Sequence, residues 1–394
     1  MKYRSIKLPV VISIIGILAT ILLPALAVLA AQDESMSLVG KTLTAKMGDD
    51  EATTWSFSKN GKAIVTGGEA GEGMEAYYKQ DGPNVHIQVA GIELEATYDG
   101  KTLEFTEAES EILSENIHSA TLKTKLVPSP ARYTVLLPPG YASSDKSYPL
   151  LFWLHGGSGD DGFLQGTARL FEKMFKDGTL SELVVVTPDA APYPASYMDF
   201  RDGSQRWESF ITAELLNHLR AKYRVSKEPS GTFISGISMG GFGSLMMGLK
   251  HLDTFGAVVA YEPMIEPAYN WKDGRREDES TRRLFGSPID KAYWAANNPA
   301  AIVRDNADAV RASGIKIYIE VGSEDVFEFH RGTNFLHQAL YERNIRHEYR
   351  YVYGADHVGA SLAGRYCDGL AFLNRVINPP PLDPEVENFR RLVR

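Results

Sequence analysis

Two patterns of apolar positions divide the chain. Between residues 35 and 106 apolar side chains recur at every second position, in short runs broken by turn residues. Val85-His86-Ile87-Gln88-Val89 and Ile92-Glu93-Leu94-Glu95-Ala96 alternate strictly, which is the period of a strand with one buried face. Trp55-Ser56-Phe57 is separated from Ala63-Ile64-Val65-Thr66 by Asn60-Gly61, a hairpin signal, and Asp81-Gly82 and Asp99-Gly100 mark further turns. The pattern predicts a small antiparallel meander, as a barrel or sandwich, with His86 on a strand surface. From about residue 117 the pattern changes: 150–154 and 184–187 are continuous apolar runs, and 132–137, 232–235, 257–260, 315–321 and 347–352 read as further strands. Such runs suit strands buried on both faces. Helical patterns at 207–224, 242–249, 335–343 and 362–376 lie between or after them. Strands alternating with helices predict an α/β domain, a mostly parallel sheet covered on both sides.

The flanks read differently. Lys2, Arg4 and Lys7 precede an uncharged run over 8–31 that ends in small residues, with Ala25-x-Ala27 and Val28-x-Ala30 as cleavage-type exits. That is a secretory leader, or an uncleaved anchor, and places the bulk of the chain outside the cytoplasm, secreted or periplasmic. Any membrane association is expected only through such an anchor. Residues 107–116 form an acidic linker with Glu107, Glu109, Glu111 and Glu115. The expected domains are therefore 1–31, 35–106, a linker at 107–116, a catalytic domain at 117–378, and a proline-rich tail at 379–394 that runs over the surface. The net charge of −9 offers no basic domain to nucleic acid, and one cysteine, Cys367, permits no intramolecular disulfide and no thiolate metal cluster.

Candidate chemistry gathers in the second region. Gly236-Ile237-Ser238-Met239-Gly240 follows a strand and opens a helix, the context of a nucleophile elbow. The serine sits at a strained turn, and a bulky residue two before or two after it would strike neighbouring backbone. His155-Gly156-Gly157-Ser158-Gly159 follows another strand. Two backbone N–H groups must meet a developing oxyanion, and the candidates are Met239 with Gly157, Ser158 being the neighbouring alternative. His155 is expected to hold that loop by hydrogen bonds. In a serine hydrolase of this fold an acid and then a histidine follow the serine. Gly322-Ser323-Glu324-Asp325 after the 315–321 strand offers Asp325, with Glu324 adjacent, and Gly354-Ala355-Asp356-His357 after the last strand offers His357. No further ligands stand at metal spacing near His330 and His337, and Asp160-Asp161-Gly162 reads as a turn, so no metal or cofactor is expected.

Together the segments 132–141, 150–159, 207–224, 234–243, 322–325 and 354–357 resemble the esterase D, or "putative esterase", family of α/β-hydrolases. The resemblance covers about residues 117–378 and leaves out 35–106 and the tail. It implies an α/β-hydrolase fold and serine esterase chemistry, with Ser238 as nucleophile, His357 and Asp325 as partners and Gly157 and Met239 as oxyanion donors. It also implies that an insertion at 261–299 caps the pocket. Glu262, Tyr269, Trp271 and Trp294 would line the cleft, with Ser158 beside it. Tyr193, Tyr197, Asp199, Phe200 and Arg201 would form another wall. Nine charges between Trp271 and Arg283 read as a solvated stretch or a lid. The expected substrate is a small-molecule or polysaccharide-linked ester, feruloyl or acetyl. The export signal and the HGGSG loop argue against S-formylglutathione. An acyltransferase, an inactive binding protein and a peptidase are the competing readings.

Overall fold

The structure, a computed structural model, describes residues 37–394 apart from 48–50, 60, 67–73, 90–91, 102, 106–115, 158, 191–195, 268–278, 382 and 394. The expected leader and most of the expected acidic linker lie outside the described residues. The chain forms two compact units, one of residues up to Glu115 with Val358–Ala363, the other of Asn116–His357 and Gly364–Arg394. Among the described residues no helix is long and apolar enough to cross a membrane.

The first unit holds one antiparallel sheet of seven strands in sequential order: β1 (Thr42–Met47), β2 (Glu51–Phe57), β3 (Lys62–Thr66), β4 (Met74–Asp81), β5 (Asn84–Val89), β6 (Ile92–Tyr98) and β7 (Leu103–Phe105). It is a meander, with the turns where the glycines predict them. Gly61 and Gly82 take φ of 74° and 58°, values a side chain would resist. Alternation decides the faces: Val85 and Ile87 are buried while His86 between them is exposed. The sheet brings β1 back toward β6, so that the Lys41 ammonium just before β1 donates to the Tyr98 hydroxyl at the end of β6 at 2.9 Å.

The second unit is built on eight strands: β8 (Ile117–Leu122), β9 (Ala131–Leu136), β10 (Leu150–Leu154), β11 (Val184–Pro188), β12 (Thr232–Ile237), β13 (Ala257–Tyr261), β14 (Lys316–Gly322) and β15 (Glu348–Val352). Their spatial order is β15-β14-β13-β12-β10-β11-β9-β8. β10 to β15 are mutually parallel, and β8 and β9 form the antiparallel end. Every residue of β10, β11, β12 and β13 is buried, so helices cover both faces. This is the predicted α/β-hydrolase architecture.

The helices are α1 (Phe163–Lys176), α2 (207–222), α3 (Met239–Lys250), α4 (Glu279–Phe285), α5 (Lys291–Ala296), α6 (Pro299–Asp305), α7 (Ala307–Ser313), α8 (Phe329–Glu342), α9 (Leu362–Ile377) and α10 (Pro384–Val393). α1 stands where no element is predicted, although Leu164, Ala168, Phe171 and Phe175 have helical spacing and are buried. The described residues of the tail lie at the surface, as expected, and α10, for which the chain offered no pattern, makes most of it helical, with Phe389 and Leu392 exposed. α2 widens into a π-helical stretch at Phe210–Leu215.

Candidate active site

Ser238 lies between β12 and α3 with φ 57° and ψ −115°, a region that a non-glycine residue enters only under constraint. The constraint is local packing. A Cβ on Gly236 would stand 2.6 Å from the carbonyl carbon of Gly240, and one on Gly240 only 2.4 Å from the Leu154 carbonyl oxygen. Both glycines are therefore steric requirements of the turn, as predicted. The Ser238 N–H donates to the Tyr261 carbonyl at 2.9 Å, and its own carbonyl accepts from Met264 at 3.1 Å. These bonds fasten the elbow to the end of β13. Ser238 is half-buried, and Met239 opens α3, where a first-turn N–H has no helical acceptor.

The HGG loop starts at the end of β10. His155 is fully buried and its tautomer is fixed by its neighbours. The Ala190 N–H donates to Nε2 at 3.1 Å, so Nδ1 carries the proton and donates to the Gly156 carbonyl at 2.7 Å. Burial, the largest influence, holds His155 at a pKa of about 4 and hence neutral. The Gly156 carbonyl also accepts from Gly159 at 3.1 Å. In a trans peptide the C=O and the following N–H point in opposite directions. With the Gly156 oxygen turned toward His155, the Gly157 N–H faces away from it. A Cβ on Gly156 would lie 3.7 Å from the Ser238 Cβ, so the loop runs directly beside the elbow. Ser158 lies outside the described residues.

Asp325 and His357 come from the loops after β14 and β15. His357 Nδ1 donates to Asp325 Oδ2 at 2.7 Å, and both side chains are buried. The other Asp325 oxygen accepts from the amides of Phe327 at 2.7 Å and Phe329 at 3.3 Å. Burial raises the pKa of Asp325, but hydrogen bonds from His357 and Glu262 outweigh it and hold the carboxyl at about 2. An ionised carboxylate only accepts, so Nδ1 is the donor, and in the neutral ring Nε2 is the nitrogen with the lone pair. Glu324 is exposed and accepts from the Ser323 hydroxyl, leaving Asp325 as the acid that meets the imidazole. Phe327 and Phe329 stand edge-on to that ring at 4.7 and 5.4 Å.

Several pocket-lining expectations change. Glu262 is 0% exposed, so it cannot line a cleft; its Oε1 accepts from the Gly322 N–H at 2.8 Å and from Arg365. Tyr197 is fully buried and donates to the His155 carbonyl at 3.0 Å, a brace for the loop and not a wall of the site. Asp199 accepts from the Ser209 amide and hydroxyl in α2, Phe200 is in the core, and Arg201 pairs with Asp290 at 3.0 Å. Trp294 is half-buried in α5. Tyr193, Tyr269 and Trp271 lie outside the described residues, as does most of the charged stretch. An open cleft of about 510 Å³ is lined by Arg201, Asp202, Arg282, Arg283 and Asp290 among others, but by none of Ser238, Asp325 and His357. Two residues missed in the sequence are Arg365 and Glu320, both buried behind Asp325. Their signal was a charge inside an apolar helix and another inside an apolar strand.

The description "putative esterase" belongs to the family whose model matches residues 125–364. An esterase of Mycobacterium tuberculosis is 33% identical over 172 residues, 43% of this chain and 33% of that protein, so the chain spans about a third of that relative's length. S-formylglutathione hydrolase of Mus musculus is 29% identical over 268 residues, 61% of this chain and 84% of the relative. Among solved structures, a ferulic acid esterase superposes with a TM-score of 0.57 at 22% identity, over 66% of this chain and 98% of that one. A fluorophosphonate-binding serine hydrolase of Staphylococcus aureus gives 0.54 at 20% identity, over 66% and 98%. These likenesses show the α/β-hydrolase fold. The family match takes in well over half of the sequence, from between β8 and β9 to the start of α9: the chain belongs to the "putative esterase" family.

Proposed function

We propose that the protein is an exported serine carboxylic-ester hydrolase working through Ser238, His357 and Asp325. The observation that carries this reading is the 2.7 Å bond from His357 Nδ1 to Asp325 Oδ2, which leaves Nε2 as a base in a site closed by the elbow. Among the described residues the Ser238 hydroxyl makes no hydrogen bond to His357, a contact that in such enzymes often tightens only when substrate binds. Ser238 Oγ attacks the ester carbonyl and His357 Nε2 takes its proton. Asp325 holds the imidazole and offsets the imidazolium charge. The Gly157 and Met239 amides receive the oxyanion. His357 then returns the proton to the departing alcohol, and water, activated by the same base, releases the acid from Ser238. No cofactor enters this sequence. The leader motif supports an ester met outside the cytoplasm, and the likeness to a ferulic acid esterase supports a carbohydrate-linked feruloyl or acetyl ester.

The test is hydrolysis of p-nitrophenyl acetate by protein lacking residues 1–31, beside Ser238→Ala. The variant should lose about a thousandfold or more of kcat; equal rates would remove Ser238 as nucleophile. A panel of feruloyl and acetyl glycosides, S-formylglutathione, peptides and an added alcohol acceptor then sets the substrate. Transfer product exceeding hydrolysis product would make the enzyme an acyltransferase.

A further inference from the structure

Behind Asp325 lies a group of buried charges that the mechanism above does not use. Glu262 follows β13 with φ 43°. Its carboxylate, that of Asp325 and the His357 ring each place an atom within 4.8 Å of the others. Glu320 in β14 is equally buried, and its Oε2 accepts from the Tyr318 hydroxyl at 2.5 Å. Arg365 in α9, 3% exposed, pairs with Glu262, lies 3.6 Å from Glu320 and donates to the Asp356 carbonyl at 2.9 Å. Three buried carboxylates thus lie near a single guanidinium, which pairs with Glu262 and Glu320 but not with Asp325. Leaving two excess negative charges in a dry interior costs several kcal/mol, and such groups take up a proton instead.

The hydrogen bonds decide which one. Asp325 accepts from two amides and His357, three of the roughly four sites an ionised carboxylate offers, so one site is left for a further donor. Glu262 accepts on Oε1 from Gly322 and Arg365, while its buried Oε2 has no partner. Two ionised carboxylates this close would repel; a proton on Oε2 turns that contact into a donated bond. We infer that Glu262 rests as a neutral carboxylic acid, a positioning residue that donates to Asp325 and, gripped by Arg365, keeps that carboxylate aimed at His357. Burial first, and then the hydrogen bond with Asp325, push the Glu262 pKa to about 9 in spite of Arg365. The remaining titratable neighbours, Tyr349 and Tyr366, are themselves held neutral by burial. A neutral Glu262 adds no negative charge of its own beside the imidazolium, so Asp325 remains that ring's ionised partner.

The role of the group rests on the proposed esterase mechanism; its protonation state does not. Infrared spectra of the Ser238→Ala protein at neutral pH, with and without Glu262→Gln, read that state directly. The difference between the two spectra should show a protonated-carboxyl C=O stretch that belongs to Glu262, over any band that Glu320 leaves in both. In the active enzyme Glu262→Ala should lower kcat about tenfold with little change in KM, and Glu262→Gln, which can donate to Asp325 and accept from Arg365, should recover most of it. The acid limb of kcat/KM should stay in place in Glu262→Gln. No infrared band lost, or an acid limb moved down by about a unit as a negative charge beside His357 disappears, would overturn the inference. Should Glu262→Ala fail to fold, the glutamine variant and the spectra decide the matter. If Ser238→Ala keeps full activity, the esterase mechanism falls while the infrared result still stands or falls by itself.

Discussion

A Cβ at Gly240 would meet the carbonyl oxygens of Leu154 at 2.4 Å and His155 at 2.7 Å, backbone atoms of a buried strand end that cannot swing aside. Gly240→Ala should cost about 3 kcal/mol of stability, seen as a lowered denaturant midpoint, and lower kcat as well, because the elbow and the HGG loop must part. An unchanged midpoint would mean that the turn relaxes freely. This much of the site was legible in the sequence, because the Gly236 clash with Gly240 arises inside the G-x-S-x-G motif, although Gly240 itself is constrained by the distant end of β10. Ser238, Asp325 and His357 were legible for a related reason: each follows within a few residues of the carboxyl end of a recognisable strand. The burial of Glu262 and Tyr197 was not. A glutamate or tyrosine just beyond a strand looks like pocket lining until the partner that covers it is known, and those partners, Arg365 and His155, are distant in sequence.

Elements show the same division. Apart from α1, the long helices and the parallel strands follow from period and continuity. The short helices α4 to α7 and the helical tail do not, since six to ten residues carry too few turns for a clear period. What joins α2 to α3 was also hidden. Glu208, 8% exposed at the start of α2, accepts from Lys250 at 2.6 Å and His251 at 2.8 Å at the end of α3. Cations at a helix C-terminus also suit its dipole. Burial raises the pKa of Glu208, but His251 and Lys250 reverse this and hold it below the usual carboxylate range. Glu208→Ala should cost about 2 kcal/mol, measured by urea denaturation at neutral pH. Loss of less than a few tenths would show that the two helices need no such tie.

For the whole molecule the buried carboxylates set how stability varies with pH. Glu320 is raised to about 7 by burial, and Glu262 to about 9, from an ordinary value of 4.5. Above that ordinary value the folded chain keeps protons that the unfolded chain has released. The stability they contribute is complete below 4.5 and is lost as pH rises through the folded values. His155 works with the opposite sign, but its effect is finished above its ordinary value of 6.5. Between pH 7 and 9 the melting temperature should therefore fall, and Glu262→Gln should flatten that fall. A parent curve that rises over this interval would contradict the protonation scheme.

The order of the site along the chain has a consequence for synthesis. The HGG loop after β10 is made first and then the elbow, with the β12–α3 turn that strains Ser238; Asp325 follows β14, His357 follows β15, and Arg365 comes only with α9. On the proposed mechanism, a ribosome that has just finished the elbow has made a serine with no base and no acid. A premature stop anywhere after Ser238 but before His357 should then yield a protein that carries the serine and hydrolyses no ester.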